Sequence, residues 1–120
     1  MHRASSNVYD IIIDQGATLL RSIGLKSSAK RPISLTGYTG RMHIREKTDS
    51  TIMVLFLTTE NGGLTIDATA GTVLILGTPA QTAAIPAGKY VHDLELIETA
   101  TGNVTKLIQG NVIVRAEVTK

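Results

Sequence analysis

The sequence predicts an all-β fold, an antiparallel immunoglobulin-like sandwich of about seven to eight strands. Three observations carry that expectation. Short runs rich in Ile, Val, Leu and Thr recur roughly every ten residues. Gly, Pro, Asn and Asp clusters separate them. Two long C-terminal runs, Lys89 to Glu98 and Asn103 to Val118, alternate with the period of two that marks half-buried antiparallel strands.

The first strand is expected at Tyr9 to Ile13, stopped by Asp14-Gln15-Gly16, and the second at Thr18 to Ile23. Residues 1–8 precede them as a flexible N-terminal arm, and residues 9–120 make up the sandwich. Lys26 to Pro32 is polar and ends in proline, so it reads as a loop. Gly37 and Gly40 lead into a third strand, Arg41 to Glu46, in which Met42 and Ile44 alternate with Arg41, His43 and Arg45. The fourth, Ile52 to Leu57, is apolar at every position, and Asn61-Gly62-Gly63 then turns the chain because these residues tolerate positive φ. Leu64 to Asp67 and Gly71 to Gly77 are two more strands. Pro79 to Ile85 places helix formers after a proline and predicts a single helical turn.

In the first long C-terminal strand, Val91, Asp93, Glu95 and Ile97 share one face and Tyr90, His92, Leu94 and Leu96 the other. Tyr90 opens that strand after the helical turn and Ala87-Gly88-Lys89. This placement fits a tyrosine corner, where the hydroxyl bonds back to the turn; the plainer reading is a core aromatic.

Composition narrows function. The chain has 120 residues, 42% hydrophobic and 18% charged, which suits one globular domain. With one Phe, three Tyr and no Trp, the core must be aliphatic. The absence of cysteine removes disulfides, thiolate chemistry and Cys-based zinc sites. Formal net charge is only +2 and the densest basic group, Lys26, Lys30 and Arg31, falls in the expected loop, so no nucleic acid is expected as partner. No apolar run is long enough for a membrane span, and Met1 to Asn7 lacks the apolar stretch of a signal peptide.

Catalytic chemistry finds no foothold. His2 lies in the arm, and His43 stands between Arg41 and Arg45, two cations that should depress its pKa and disfavour a metal. His92 and Asp93 are adjacent in one strand and point to opposite faces. Gly62-Gly63 lacks the Gly-Lys-Ser/Thr that closes a phosphate loop. Hence no enzyme activity, cofactor, metal or small-molecule ligand is expected.

The surplus is hydrophobic. Ile52 to Leu57 puts apolar side chains on both faces of a sheet that should wet one of them. Either the outer set is covered within the chain, by the arm or the helical turn, or Met53, Leu55 and Leu57 dock onto a neighbouring subunit.

The segment Ile33-Ser34-Leu35-Thr36-Gly37-Tyr38-Thr39-Gly40-Arg41-Met42-His43-Ile44-Arg45 is similar to a pattern in small tailed-bacteriophage virion proteins related to the N-terminal domain of upper-baseplate proteins. The likeness takes in Gln15-Gly16-Ala17-Thr18, Leu57 to Gly63, Ala70-Gly71-Thr72, Ala87 to Leu96, Gln109 to Val112 and Glu117-Val118-Thr119. It departs over Leu25 to Arg31, where the usual aromatic-plus-acidic strand ending is missing. The resemblance implies an immunoglobulin-like fold and a place in the virion, after synthesis in the host bacterial cytoplasm. On it, the chain is expected to be an adaptor joining tail, baseplate or neck to fibres, as a homo-oligomer contacting other virion proteins through apolar sheet faces and its arm. A capsid decoration protein is the alternative, and a carbohydrate-binding module a third reading disfavoured by the scarcity of aromatics.

Overall fold

The computed structural model describes residues 7–25, 33–48, 50 and 52–117. Among the described residues, nine strands and one short helix follow in order: β1 Asn7–Val8, β2 Ile11–Asp14, β3 Leu19–Gly24, β4 Tyr38–Arg45, β5 Met53–Thr58, β6 Leu64–Asp67, β7 Thr72–Gly77, α1 Pro79–Ala83, β8 Gly88–Glu98 and β9 Val104–Arg115. They form two sheets. The larger runs β1-β9-β8-β4-β5, with β2 also on β9; the smaller runs β3-β7-β6. This order, with β8 central in one sheet and β7 central in the other, is that of an immunoglobulin-like sandwich in which β5 extends the larger sheet as in variable-type domains.

The inward set of each strand follows from its alternation. Met42, Ile44 and Leu94 from the larger sheet and Leu64, Val73 and Ile75 from the smaller are almost wholly buried. Burying each such side chain contributes about 1.5–3 kcal/mol, so this aliphatic seam is what holds the sheets together. The first long strand resolves as expected, with Tyr90, His92, Leu94 and Leu96 inward.

The helical turn expected at Pro79 to Ile85 is α1. Thr78 caps it, its hydroxyl accepting from the Gln81 amide while the Gln81 side chain accepts from the Thr78 amide. Its buried Thr82 is a junction: the hydroxyl donates toward the Ala17 carbonyl at 2.9 Å and accepts from the Gly16 amide at 3.0 Å. The turn after β2 is thereby fastened to the helix.

The N-terminal strand differs from the expectation of one antiparallel run at Tyr9 to Ile13. It is two strands, β1 and β2, both parallel to β9 and in one register. At the interruption the Asp10 carboxylate accepts from the Asn111 amide at 2.9 Å, and the Tyr9 amide donates to the Gln109 carbonyl at 2.8 Å. The chain presses so closely on β9 here that a Cβ on Gly110 would stand 2.5 Å from the Tyr9 carbonyl oxygen. Only glycine fits. Of the arm expected over residues 1–8, Asn7 and Val8 are paired as β1 and the rest lies outside the described residues. The loop expected at Lys26 to Pro32 also lies outside them.

Candidate interaction surface

Register decides which side chains face outward. Across β4, β8 and β9 the outer face of the larger sheet presents Arg41, His43 and Arg45, then Val91, Asp93 and Glu95, then Lys106 and Gln109. Arg41 and Glu95 are directly paired and make a 2.8 Å salt bridge; Lys106 lies 3.6 Å from Asp93. Both pairs are partly exposed, where such bridges contribute little to stability but fix side-chain placement.

His43 is the organising group of this face. Its ring meets Phe56, its cross-strand partner on β5, edge to face at 4.8 Å between centroids. Arg45 lies 2.9 Å from Nδ1 and 2.6 Å from the Ser50 carbonyl. Guanidinium can only donate, so Nδ1 accepts and the imidazole is neutral with its proton on Nε2. Burial lowers the His43 pKa most, and the Arg45 charge lowers it further. The cation effect expected from the sequence is present, but second to desolvation. Between Arg45 and Thr48 on one side and Lys106 and Gln109 on the other, a groove of about 380 Å³ crosses the sheet over Val91 and Asp93.

The expected docking set Met53, Leu55 and Leu57 is corrected. Leu55 and Leu57 are buried, at 8% and 1% exposure, because they pair with inward Ile44 and Met42. A bulge then shifts the register, so that Met53 pairs with outward Arg45 and is 41% exposed although it shares sequence parity with the two leucines. The outward apolar side chains of this strand are thus Met53 and Phe56, the latter also 41% exposed, with Ile52 just before them, while Val54 packs against the core. Parity alone could not choose the face, since the run is apolar on both.

Other exposed apolar residues lie in the shorter runs Val73 to Leu76 and Ile11 to Ile13, which are likewise apolar on both faces, and in their strand partners. Leu20 and Leu76 are direct cross-strand partners on the outer face of the smaller sheet. Ile12 and Ile113, registered neighbours on β2 and β9, are exposed on the larger. The alternation within Thr72 to Gly77, with Val73 and Ile75 inward, was the available signal for Leu76.

Tyr90 takes the corner geometry: its hydroxyl donates to the Pro86 carbonyl at 2.6 Å. His92 is buried beside it on the core side of β8, with Nε2 bonded to the Tyr9 carbonyl oxygen and Nδ1 without a partner. Among the described residues no group of three or more His, Cys, Asp or Glu could hold a metal ion. None of the helices described is long and apolar enough to cross a membrane.

Fold and corner together define an immunoglobulin-like domain. No family model and no curated protein matches the sequence. Among solved structures, that of the NK cell receptor Nkp44, described as a triggering partner in natural cytotoxicity, is similar at a TM-score of 0.49 and 14% identity, over 93% of this chain and 100% of that one. The class assignment rests on strand order and the corner, not on that likeness.

Proposed function

We propose that this chain is a non-enzymatic structural subunit that acts by docking onto neighbours, and that its assembly is a bacteriophage tail, where it joins tail or baseplate proteins to fibres. The observation that carries the docking reading is the outward apolar run of the edge strand: Ile52 at 69% exposure, then Met53 and Phe56. A solvated sheet edge ordinarily carries charge or proline, and apolar exposure there favours a covering partner. The assignment to a phage rests on the sequence resemblance over Ile33 to Arg45 and its companion segments. In that setting the subunit is repeated by the ring symmetry of the particle and meets both its own copies and other virion proteins.

Mass spectrometry of purified phage particles tests the setting: the reading expects the chain in the virion at tens of copies, and its absence from intact particles overturns it. Copy numbers in the hundreds would instead favour decoration of the head. Light scattering and hydrophobic-dye binding on the isolated protein test the docking surface. A strict monomer that binds no dye overturns that part alone.

A further inference from the structure

His92 sits beneath the place where the N-terminal strand breaks step. Its Nε2 is bonded to the Tyr9 carbonyl oxygen, within the two-residue interruption between β1 and β2. A carbonyl only accepts, so Nε2 carries the proton and Nδ1 holds a lone pair. His92 is 4% exposed, and its Nδ1 is the single buried side-chain polar atom without a hydrogen-bond partner among the described residues. Such an orphan is uncommon in a native interior and calls for an explanation.

We propose that His92 is an acid-sensitive clasp: the neutral imidazole ties the Tyr9–Asp10 crossing to β8, and protonation at Nδ1 releases residues 7–10 from the edge of β9 while the sandwich behind them stays folded.

A proton on Nδ1 creates a buried cation whose new N–H has no acceptor, which is far costlier than the orphaned lone pair it replaces. The groups around the ring do not remove that cost. From the crossing segment come Tyr9 and Asp10, and from its own strand Asp93; its register partners, Ile44 on β4 and Gly110 on β9, carry no charge. Asp10 and Asp93 favour the cation, but Asp10 already accepts from the Asn111 amide, and Asp93 points to the opposite face. Burial, the largest effect, outweighs the Tyr9 carbonyl hydrogen bond and both carboxylates, all of which favour the cation, and the imidazole pKa lies below its ordinary value.

The least costly escape is local. The crossing is held by three hydrogen bonds, Tyr9 to Gln109, Asp10 to Asn111 and His92 to Tyr9, and by the half-buried Tyr9 side chain, which packs against the core. Val8 is 73% exposed, so freeing it forfeits little burial. Release beyond Asp10 would strip out Ile11 and Ile13, each 1% exposed, and hydrophobic burial stops the opening there. Val8 and Gly110, on either side of the crossing, line the groove on the outer face of the sheet, whereas the His92 ring lies beneath them on the core side. What opens is the β9 edge at Gln109 to Asn111, a row of backbone groups able to pair with another strand.

Site-resolved amide exchange by NMR between pH 7.5 and 4.5 tests this. As His92 titrates below its ordinary value of 6.5, protection at the Tyr9 and Asn111 amides should fall by about tenfold for each pH unit, while Leu94 and Ile75 stay protected. His92→Gln, whose amide can still donate to the Tyr9 carbonyl but does not titrate, should hold protection at Tyr9 across the range. Should that variant fail to fold, the ring-nitrogen titration of the natural protein decides. An Nε2–H tautomer with a midpoint below 6.5, coincident with the Tyr9 transition, supports the clasp. A midpoint at or above 6.5, simultaneous loss of protection at Tyr9 and Leu94, or a Gln variant that follows the natural pH curve overturns it.

Discussion

The hydroxyl of Tyr90 reaches back four residues to donate a 2.6 Å hydrogen bond to the carbonyl of Pro86, closing the turn from which β8 starts. The ring is only 6% exposed, and burial also pushes the phenol pKa up, so the hydroxyl stays protonated and donating at any ordinary pH. Tyr90→Phe keeps the packing and deletes the donor, leaving the Pro86 carbonyl to water. The expected loss is about 1–2 kcal/mol of unfolding free energy, read by chemical denaturation. A change below a few tenths of a kcal/mol would make the residue an ordinary core aromatic.

This corner was legible because its signal is local: a helical turn, then Gly88-Lys89-Tyr90 opening a long strand. The strand list was legible for the same reason, through alternation and turn residues within a few positions. The features that escaped are set by partners distant in sequence. Parallel pairing of β1 and β2 with β9 joins residues about a hundred positions apart, and nothing local distinguishes it from an antiparallel edge. The outward face of β5 depends on its bulge against β4, which no periodicity within an all-apolar run reports. The Arg45–His43–Phe56 cluster likewise needed cross-strand register: the spacing of Arg41, His43 and Arg45 was visible, the aromatic partner was not.

Thr82 gives a sharper test of the junction between the β2–β3 turn and α1. Its hydroxyl, fully buried, lies between the Gly16 amide, the Ala17 carbonyl and the Pro79 carbonyl. Thr82→Val has nearly the same shape but cannot bond any of them. The Gly16 amide and Ala17 carbonyl then lose a buried partner, for an expected cost of about 2–3 kcal/mol in unfolding free energy. Thr82→Ser, which keeps the hydroxyl and loses one methyl, should cost about half as much or less, chiefly through the lost packing. If Val proves milder than Ser, packing and not hydrogen bonding holds this turn.

The imidazole of His43 should titrate below its ordinary 6.5, since burial and the Arg45 charge both disfavour the cation. With the folded pKa below the unfolded one, its contribution to stability is complete above 6.5 and lost as pH falls through the folded value. Arg45→Met removes the guanidinium from Nδ1. The midpoint, followed by proton NMR of the ring, should then move upward but stop short of the ordinary value, because burial against Phe56, the larger cause, remains. An unchanged midpoint would show that Arg45 acts only on the Ser50 loop.

At the free edge of β5, Asn61 stands in for a neighbouring strand. Its Oδ1 accepts from the amides of Thr58 and Gly63, each at 2.9 Å, and its Nδ2 donates to the Phe56 carbonyl at 3.0 Å. The strand itself, Met-Val-Leu-Phe-Leu-Thr, carries no charge and no proline, so this carboxamide is the device that occupies its exposed backbone. Asn61→Ala should lower stability by about 1–2 kcal/mol and, by freeing the Thr58 N–H and Phe56 carbonyl beside an apolar surface, increase self-association in sedimentation velocity. Adding Phe56→Ser should reverse the association without restoring stability, because Phe56 is on the outer face. Leu57→Ala, by contrast, opens a cavity against Met42 and should cost about 2–4 kcal/mol with no direct effect on association. If Phe56→Ser proved as destabilising as Leu57→Ala, the two residues would have to exchange faces, and the surface at Ile52, Met53 and Phe56 would no longer be available to a partner.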